Sequence, residues 1–229
     1  MRRLGTDDYA VDAVTAAKAL VGAWLCRRLE DGSVVRWRIT ETEAYCGEED
    51  TACHAHKGRT ARTDVMYAPG GCAYIYLCYG MHEMLNVVTG PEGRPEAVLI
   101  RGVEGAEGPG RLTKLLKIDR SLNREDLVHS NRLWLESDGA RVKFTSAPRI
   151  GIAYASKRDQ NRKWRFTLSC RADTPKRLLE RWSAPNRKPC TAGKTFGVIG
   201  SNGLYRTCLH ALPERSRFER LMNMRKAQR

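Results

Sequence analysis

No apolar stretch in these 229 residues approaches the roughly 18 that a membrane-crossing helix requires, which argues against a helical membrane protein. The opening MRRLGTDDYAVDAV places acids after its two arginines, where a secretion signal needs a continuous apolar core. An intracellular chain is therefore expected, in the cytoplasm or nucleoid of a bacterium or the nucleus of a eukaryote. Eight cysteines are present, yet none forms a C-x-x-C pair. Buried or idle thiols are the expectation, and Cys46, Cys53, His54 and His56 match no standard zinc spacing. The triplet Gly193-Lys194-Thr195 lacks the upstream glycine of a phosphate loop, since position 188 is Lys, so a nucleotide triphosphatase is excluded. No metal and no cofactor is expected.

Acids are also in short supply. Lys and Arg number 40 against 26 Asp and Glu, a formal net charge of +14, which points to a polyanionic partner such as nucleic acid. The excess is uneven, because residues 171–229 hold 14 Lys and Arg against 4 Asp and Glu. The chain divides accordingly into a folded unit over 1–170 and a basic extension over 171–229.

Within the first unit the alanine-rich run Asp12–Val21 predicts a helix. Two strand-like runs, 23–29 and 34–45, flank an Asp31-Gly32 hairpin signal. Period two then places Ile39, Glu41, Glu43 and Tyr45 on one face. Further strands are predicted over 72–78, 85–89 and 97–103, with Tyr79, Gly80 and Met81 at a turn. A loop over 105–110, a short helix over 111–117 and closing strands over 149–155 and 165–168 complete the reading, an α+β domain.

Aromatics are few, 7% of the chain, yet Tyr74, Tyr76 and Tyr79 fall within six residues. Glutamates such as Glu41 and Glu43 on a strand are commonly solvated, and clustered tyrosines commonly pack a sheet. A cleft holding Tyr45, Tyr76 and His54 around one carboxylate would instead be a box of π-faces. That suits a nucleobase taken out of its stack, held between flat faces and then attacked.

The segments RITETEAY, ED-x-A-x-H, YIYLCYGM, MLNVV and VLIR, followed by GPGRL and RIGI, resemble in one register the alkyladenine (3-methyladenine) DNA glycosylase family. The resemblance runs from about Leu20 to Leu168. It implies a single domain with a curved antiparallel sheet, a protruding hairpin and peripheral helices, similar to the C-terminal domain of formyltransferases. It also implies a monomeric, monofunctional hydrolase that acts on double-stranded DNA containing damaged purines.

Residue by residue, the resemblance assigns Glu43 to activation of the attacking water and Arg101 to holding that acid and water. Tyr45, His54 and Tyr76 become the walls of the base pocket, and Asn86 the screen against the exocyclic amine of normal guanine. Tyr79, with Met81 beside it, becomes the wedge that fills the gap left by the flipped nucleotide. Arg59 and Arg62 are expected phosphate ligands, with solvated charge as their alternative. Ala61 and Thr63 stand where the family usually has Pro and Asn, and loss of that Asn is expected to loosen a turn beside the pocket. A cationic base such as 3-methyladenine would be attracted by aromatic faces by about 0.5–2 kcal/mol. The alternatives from other classes are a non-catalytic module that binds damaged DNA and an RNA-binding accessory protein driven by the basic extension.

Overall fold

The computed structural model describes residues 1–169, so the basic extension over 171–229 lies outside the described residues. A two-residue strand, β1 (Arg2–Arg3), and one helical turn, α1 (Thr6–Tyr9), precede the first longer helix, α2 (Ala13–Leu20). Its cap is Asp12, which accepts hydrogen bonds from the Val14 and Thr15 N–H groups, both at 3.0 Å, and so satisfies two donors that the first turn leaves open. Ala13, Ala16, Ala17 and Leu20 recur at helical spacing and form the stripe that α2 buries.

The hairpin β2 (Trp24–Arg28) and β3 (Val34–Cys46) follows around the predicted Asp31-Gly32 turn. Two 3₁₀ turns, His54–Lys57 and Asp64–Tyr67, lead into β4 (Ala73–Cys78), β5 (His82–Thr89) and β6 (Glu96–Val103). The rest of the unit comprises β7 (Ala106–Glu107), α3 (Pro109–Leu115), β8 (Leu133–Ser137), β9 (Phe144–Ala147), α4 (Lys157–Asn161) and β10 (Arg165–Leu168). The strands form one open antiparallel sheet in the order β1-β8-β2-β3-β6-β5-β4, with β10 joining β3 to β9. The mixed α+β architecture with a few peripheral helices is the expected class. Among the described residues no helix is long and apolar enough to cross a membrane.

Strand β3 is the hub of this sheet, pairing β2 with its first half, β6 with its second, and β10 along Glu41–Glu43. It also departs from the predicted period. The register with β6 slips between Ile39 and Glu41 and again before Thr42, a bulge that reverses which face is inward. Ile39 therefore joins the core with Ala44, and Thr42 donates to the Ala17 carbonyl of α2 at 2.9 Å. Glu41, Glu43 and Tyr45 point the other way. Opposite the bulge sits Gly102, where a Cβ would lie 3.0 Å from Thr40 Oγ1, a tight fit that glycine avoids.

Three other expectations need correction. Residues 149–155 are a loop and not a strand, because Arg149 is drawn inward to a buried carboxylate while Ile150 is left half exposed. Helix α3 starts at Pro109, two residues before the predicted start, with proline at a position where its missing N–H costs nothing. Thr63 does not loosen its turn. Its hydroxyl accepts from the Thr60 N–H at 2.9 Å and donates to the Gly58 carbonyl at 3.2 Å, closing the loop as a side-chain amide would. Strand β8 was not predicted at all.

Candidate active site

Glu43 lies at the centre of the sheet, paired across β3 with Leu99 on one side and Arg165 on the other, and its side chain is fully buried. A carboxylate at that depth needs partners. Oε1 accepts from the Ile150 backbone N–H at 2.9 Å and Oε2 accepts from the Tyr45 hydroxyl at 3.0 Å. Arg101 Nε stands 3.6 Å from Oε1 and 3.4 Å from Glu41 Oε2, and Arg165 clamps Glu41 from β10 at 2.7 Å. The buried Arg101 Nε makes no hydrogen bond among the described residues. Burial pushes the Glu43 carboxyl above the usual carboxylate range, against the pull of Arg101 and of the two hydrogen bonds. Glu43 is therefore an acid whose charge is costly and incompletely compensated, the condition under which a carboxylate takes up a proton readily.

Beside it opens a cleft lined by Tyr45, His54, Tyr74, Tyr76, Asn86 and Tyr154, with Ala52, Cys53, Met66 and Ala97 between them. His54 meets Tyr76 edge-on with ring centroids 4.6 Å apart, and its Nδ1 lies 2.9 Å from the Tyr74 hydroxyl. Burial, with the charge of Arg62 in second place, pushes the imidazole down to about 4, so His54 is neutral near pH 7. Asn86 is buried and donates its amide to the Tyr74 carbonyl at 3.1 Å, which fixes the plane of the side chain at the pocket wall. The structure thus gathers Tyr45, His54, Tyr76 and Asn86 in one cleft, which Glu43, with Arg101 beside it, adjoins through the Tyr45 hydroxyl. Cys46, Cys53, His54 and His56 do not converge, since His56 turns away to the Glu48 carbonyl at 2.7 Å, and no group of three metal-ligating side chains occurs among the described residues.

Tyr79 and Met81 are elsewhere, at the tip of the β4–β5 hairpin, 86% and 71% exposed. Two large side chains side by side at one hairpin tip gain little from packing within the fold. Tyr79 also has φ +51°, followed by Gly80 at +69°, while the Met81 N–H donates to the Cys78 carbonyl at 3.2 Å. Two successive left-handed residues make the tight turn whose twist suits a hairpin, at a cost of about 1–2 kcal/mol for a non-glycine side chain. Arg59 is held by Asp64 at 2.8 Å, a carboxylate also claimed by Arg124 at 2.6 Å. Arg62 is exposed and rests with its guanidinium carbon 4.9 Å from the Tyr76 ring centroid.

The sequence reading assigned nothing to four participants. Arg149 and Asp50 form a fully buried ion pair with contacts of 2.5 and 2.8 Å, and Arg149 also donates to the Ala44 carbonyl and lies 4.8 Å from the Tyr45 ring centroid. Ile150, next in the chain, contributes its backbone N–H to Glu43, which no side-chain pattern can reveal. Tyr154 lines the cleft with its hydroxyl on the Ala52 carbonyl at 2.9 Å. An arginine flanked by apolar residues in APRIGI was the available signal, because a charge carried into a core must find its counter-charge.

Residues 7–172 match the sequence profile of the methylpurine-DNA glycosylase (MPG) family. A protein of Psychrobacter cryohalolentis that bears the provisional name 3-methyladenine DNA glycosylase is 44% identical over 176 residues, 64% of this chain and 83% of its own. Proteins of the same provisional name are 45% identical over 174 residues in Borreliella afzelii, 70% of this chain and 92% of theirs, and 43% identical over 183 residues in Methanocella arvoryzae, 71% and 90%.

Proposed function

The chain belongs to the methylpurine-DNA glycosylase family, and from that premise we propose that this DNA glycosylase flips an alkylated or deaminated purine out of duplex DNA and hydrolyses its glycosidic bond with a water directed by Glu43. The observation that carries this reading is the fully buried Glu43 beside a pocket walled by Tyr45, His54 and Tyr76. A module that only bound DNA would gain nothing from a desolvated carboxylate held by three partners.

In the duplex the glycosidic bond is out of reach, and extracting a nucleotide costs about a few kcal/mol. Tyr79, with Met81, offers an exposed planar wedge for the vacated gap, which offsets part of that cost. The extracted base stacks between Tyr45 and the His54–Tyr76 pair, and Asn86 bounds its edge. Water oxygen then attacks C1′, the bonding pair leaves with the base, and Glu43 takes the proton that the water gives up, a contribution of about 10²–10⁴-fold. The carboxylate also stabilises positive charge developing on the sugar. Arg101, shared with Glu41, keeps Glu43 aligned and tempers its appetite for a proton before the step. Among the described residues none of the side chains that line the pocket is a lysine, which agrees with hydrolysis without a Schiff-base intermediate or strand cleavage. Arg59 and Arg62 are the phosphate ligands this reading proposes. On this reading one pocket serves one flipped base, so a monomer suffices, and a DNA substrate implies action inside the cell.

The test is single-turnover base release from duplexes containing 7-methylguanine, 3-methyladenine or hypoxanthine. Release of free base by the native protein, leaving an uncut abasic strand, is expected. Tight lesion binding without release would replace this reading with a damage-binding module.

A further inference from the structure

Two of the aromatic walls already carry a guanidinium. Arg149 stands 4.8 Å from the Tyr45 ring centroid and Arg62 stands 4.9 Å from that of Tyr76. The two are not equivalent. Arg149 is neutralised by the buried, two-point contact with Asp50, so as a pair it adds little net charge to the pocket. Arg62 forms no ion pair with a carboxylate among the described residues, and it lies exposed beside the pocket with its guanidinium on the Tyr76 wall.

We propose, resting on the glycosylase reading, that Arg62 sets the charge selectivity of the pocket. Its guanidinium on Tyr76 holds back cationic alkylated purines and so favours neutral lesions such as hypoxanthine. The argument is electrostatic and does not depend on which face of Tyr76 the base takes. On the same face the base must displace the guanidinium, and a cationic base is then left near a like charge. On the opposite face the cation meets a ring whose π-density Arg62 already draws upon. Either way the attraction of aromatic faces for a cation is weakened, whereas a neutral base stacks without this penalty. His54 reports the same field, since Arg62 is the one charge that adds to burial in keeping the imidazole neutral.

The penalty belongs to binding and not to bond breaking. In the bound state a methylated purine carries the positive charge on the base. As the C1′–N bond lengthens, that charge passes to the sugar, which is stabilised by Glu43. Removing Arg62 thus improves capture of cationic lesions without a matching rise in the maximal rate of their release.

Duplex affinities provide the direct test. They are measured for Glu43→Gln and for Glu43→Gln/Arg62→Gln on three probes: duplexes with 7-methylguanine, with hypoxanthine and without damage. Loss of a phosphate contact weakens all three alike, so the ratio of the two lesion affinities isolates the pocket. Arg62 is exposed, so solvent discounts its reach, and the ratio is expected to move towards 7-methylguanine by about threefold to tenfold in the double variant. Glu43→Gln/Arg62→Lys, which keeps the charge, should return it. A ratio unchanged within about twofold, or one that moves towards hypoxanthine, overturns the proposal. Failure of the native protein to release any base sinks the enzyme reading instead, while the affinity ratio still decides the role of Arg62.

Discussion

The Ile150 backbone N–H donates to Glu43 Oε1 at 2.9 Å, and that contact joins a loop more than a hundred residues away in sequence to the buried acid on β3. With Tyr45 holding the other oxygen, the carboxylate is fixed in rotation, as the proposed direction of a water would require. Glu43→Gln keeps the shape and removes the base. Base release should fall by about 10²–10⁴-fold while lesion-duplex affinity stays near native, as read by single-turnover kinetics and fluorescence anisotropy.

The same substitution carries a stability prediction whose sign follows from the burial of Glu43. Its folded carboxyl binds a proton more readily than an unfolded glutamate, so the charged form is a cost to the fold at neutral pH. That cost fades as the pH falls through the folded and then the ordinary carboxylate range. Glu43→Gln should therefore melt no lower than the native protein near pH 7, and any advantage should shrink on acidification. A Gln variant clearly less stable at pH 7 would mean that Arg101 and the two hydrogen bonds outweigh desolvation.

Acid should act on His54 in the opposite sense. Its folded value, about 4, lies below the ordinary 6.5, so between those limits the unfolded chain binds more protons. The stability that a neutral His54 contributes is complete above about 6.5 and is lost as the pH drops towards 4. Chemical denaturation across that window should show a dependence on pH that His54→Gln reduces. An imidazole titrating near 6.5 by NMR would refute the assignment.

Much of this site was legible because sheets obey a strict period. Glu43 and Tyr45, two residues apart, share a face, and the tyrosines of β4 were placed correctly beside them. What escaped had physical reasons. The bulge at Thr40 adds a residue to the ladder and turns Ile39 inward, a shift of register against a different strand, β6, that the pattern of β3 alone does not carry. The loop over 149–155 mimics a strand in its apolar alternation, but its conformation is decided by Arg149 finding Asp50, a pairing 99 residues apart. Backbone donors such as that of Ile150 leave no mark in a side-chain pattern at all.

The Asp50–Arg149 pair itself should prove a positioning element. Asp50 also accepts from the Cys46 and Ala52 N–H groups, both at 3.1 Å, so one carboxylate ties the end of β3, the segment before His54 and the Ile150 loop together. Arg149→Met leaves a buried carboxylate without its counter-charge and should cost about 3–5 kcal/mol, measured by denaturant unfolding. Asp50→Asn retains the shape and is the milder probe. Among molecules still folded, it should lower the maximal rate of base release more than it lowers affinity for lesion DNA, because the contact to Glu43 is loosened while the pocket walls and the hairpin remain.

Tyr79 should show stability and function pulling in opposite directions. A tyrosine held at φ +51° bears the strain of the left-handed region, and with 86% of its surface exposed it recovers little by packing. Tyr79→Gly removes that strain, although glycine also gains freedom in the unfolded chain, so the net change should fall within about 1 kcal/mol of zero. Its effect on DNA should be far larger. Without a side chain to enter the gap, the flipped state loses its filler, and lesion affinity should fall by about tenfold or more, whereas Tyr79→Phe keeps the ring and should remain near native. Equal affinities for the Gly and Phe variants in a duplex titration would show that the hairpin tip does not enter the helix, and the strained tyrosine would need another explanation.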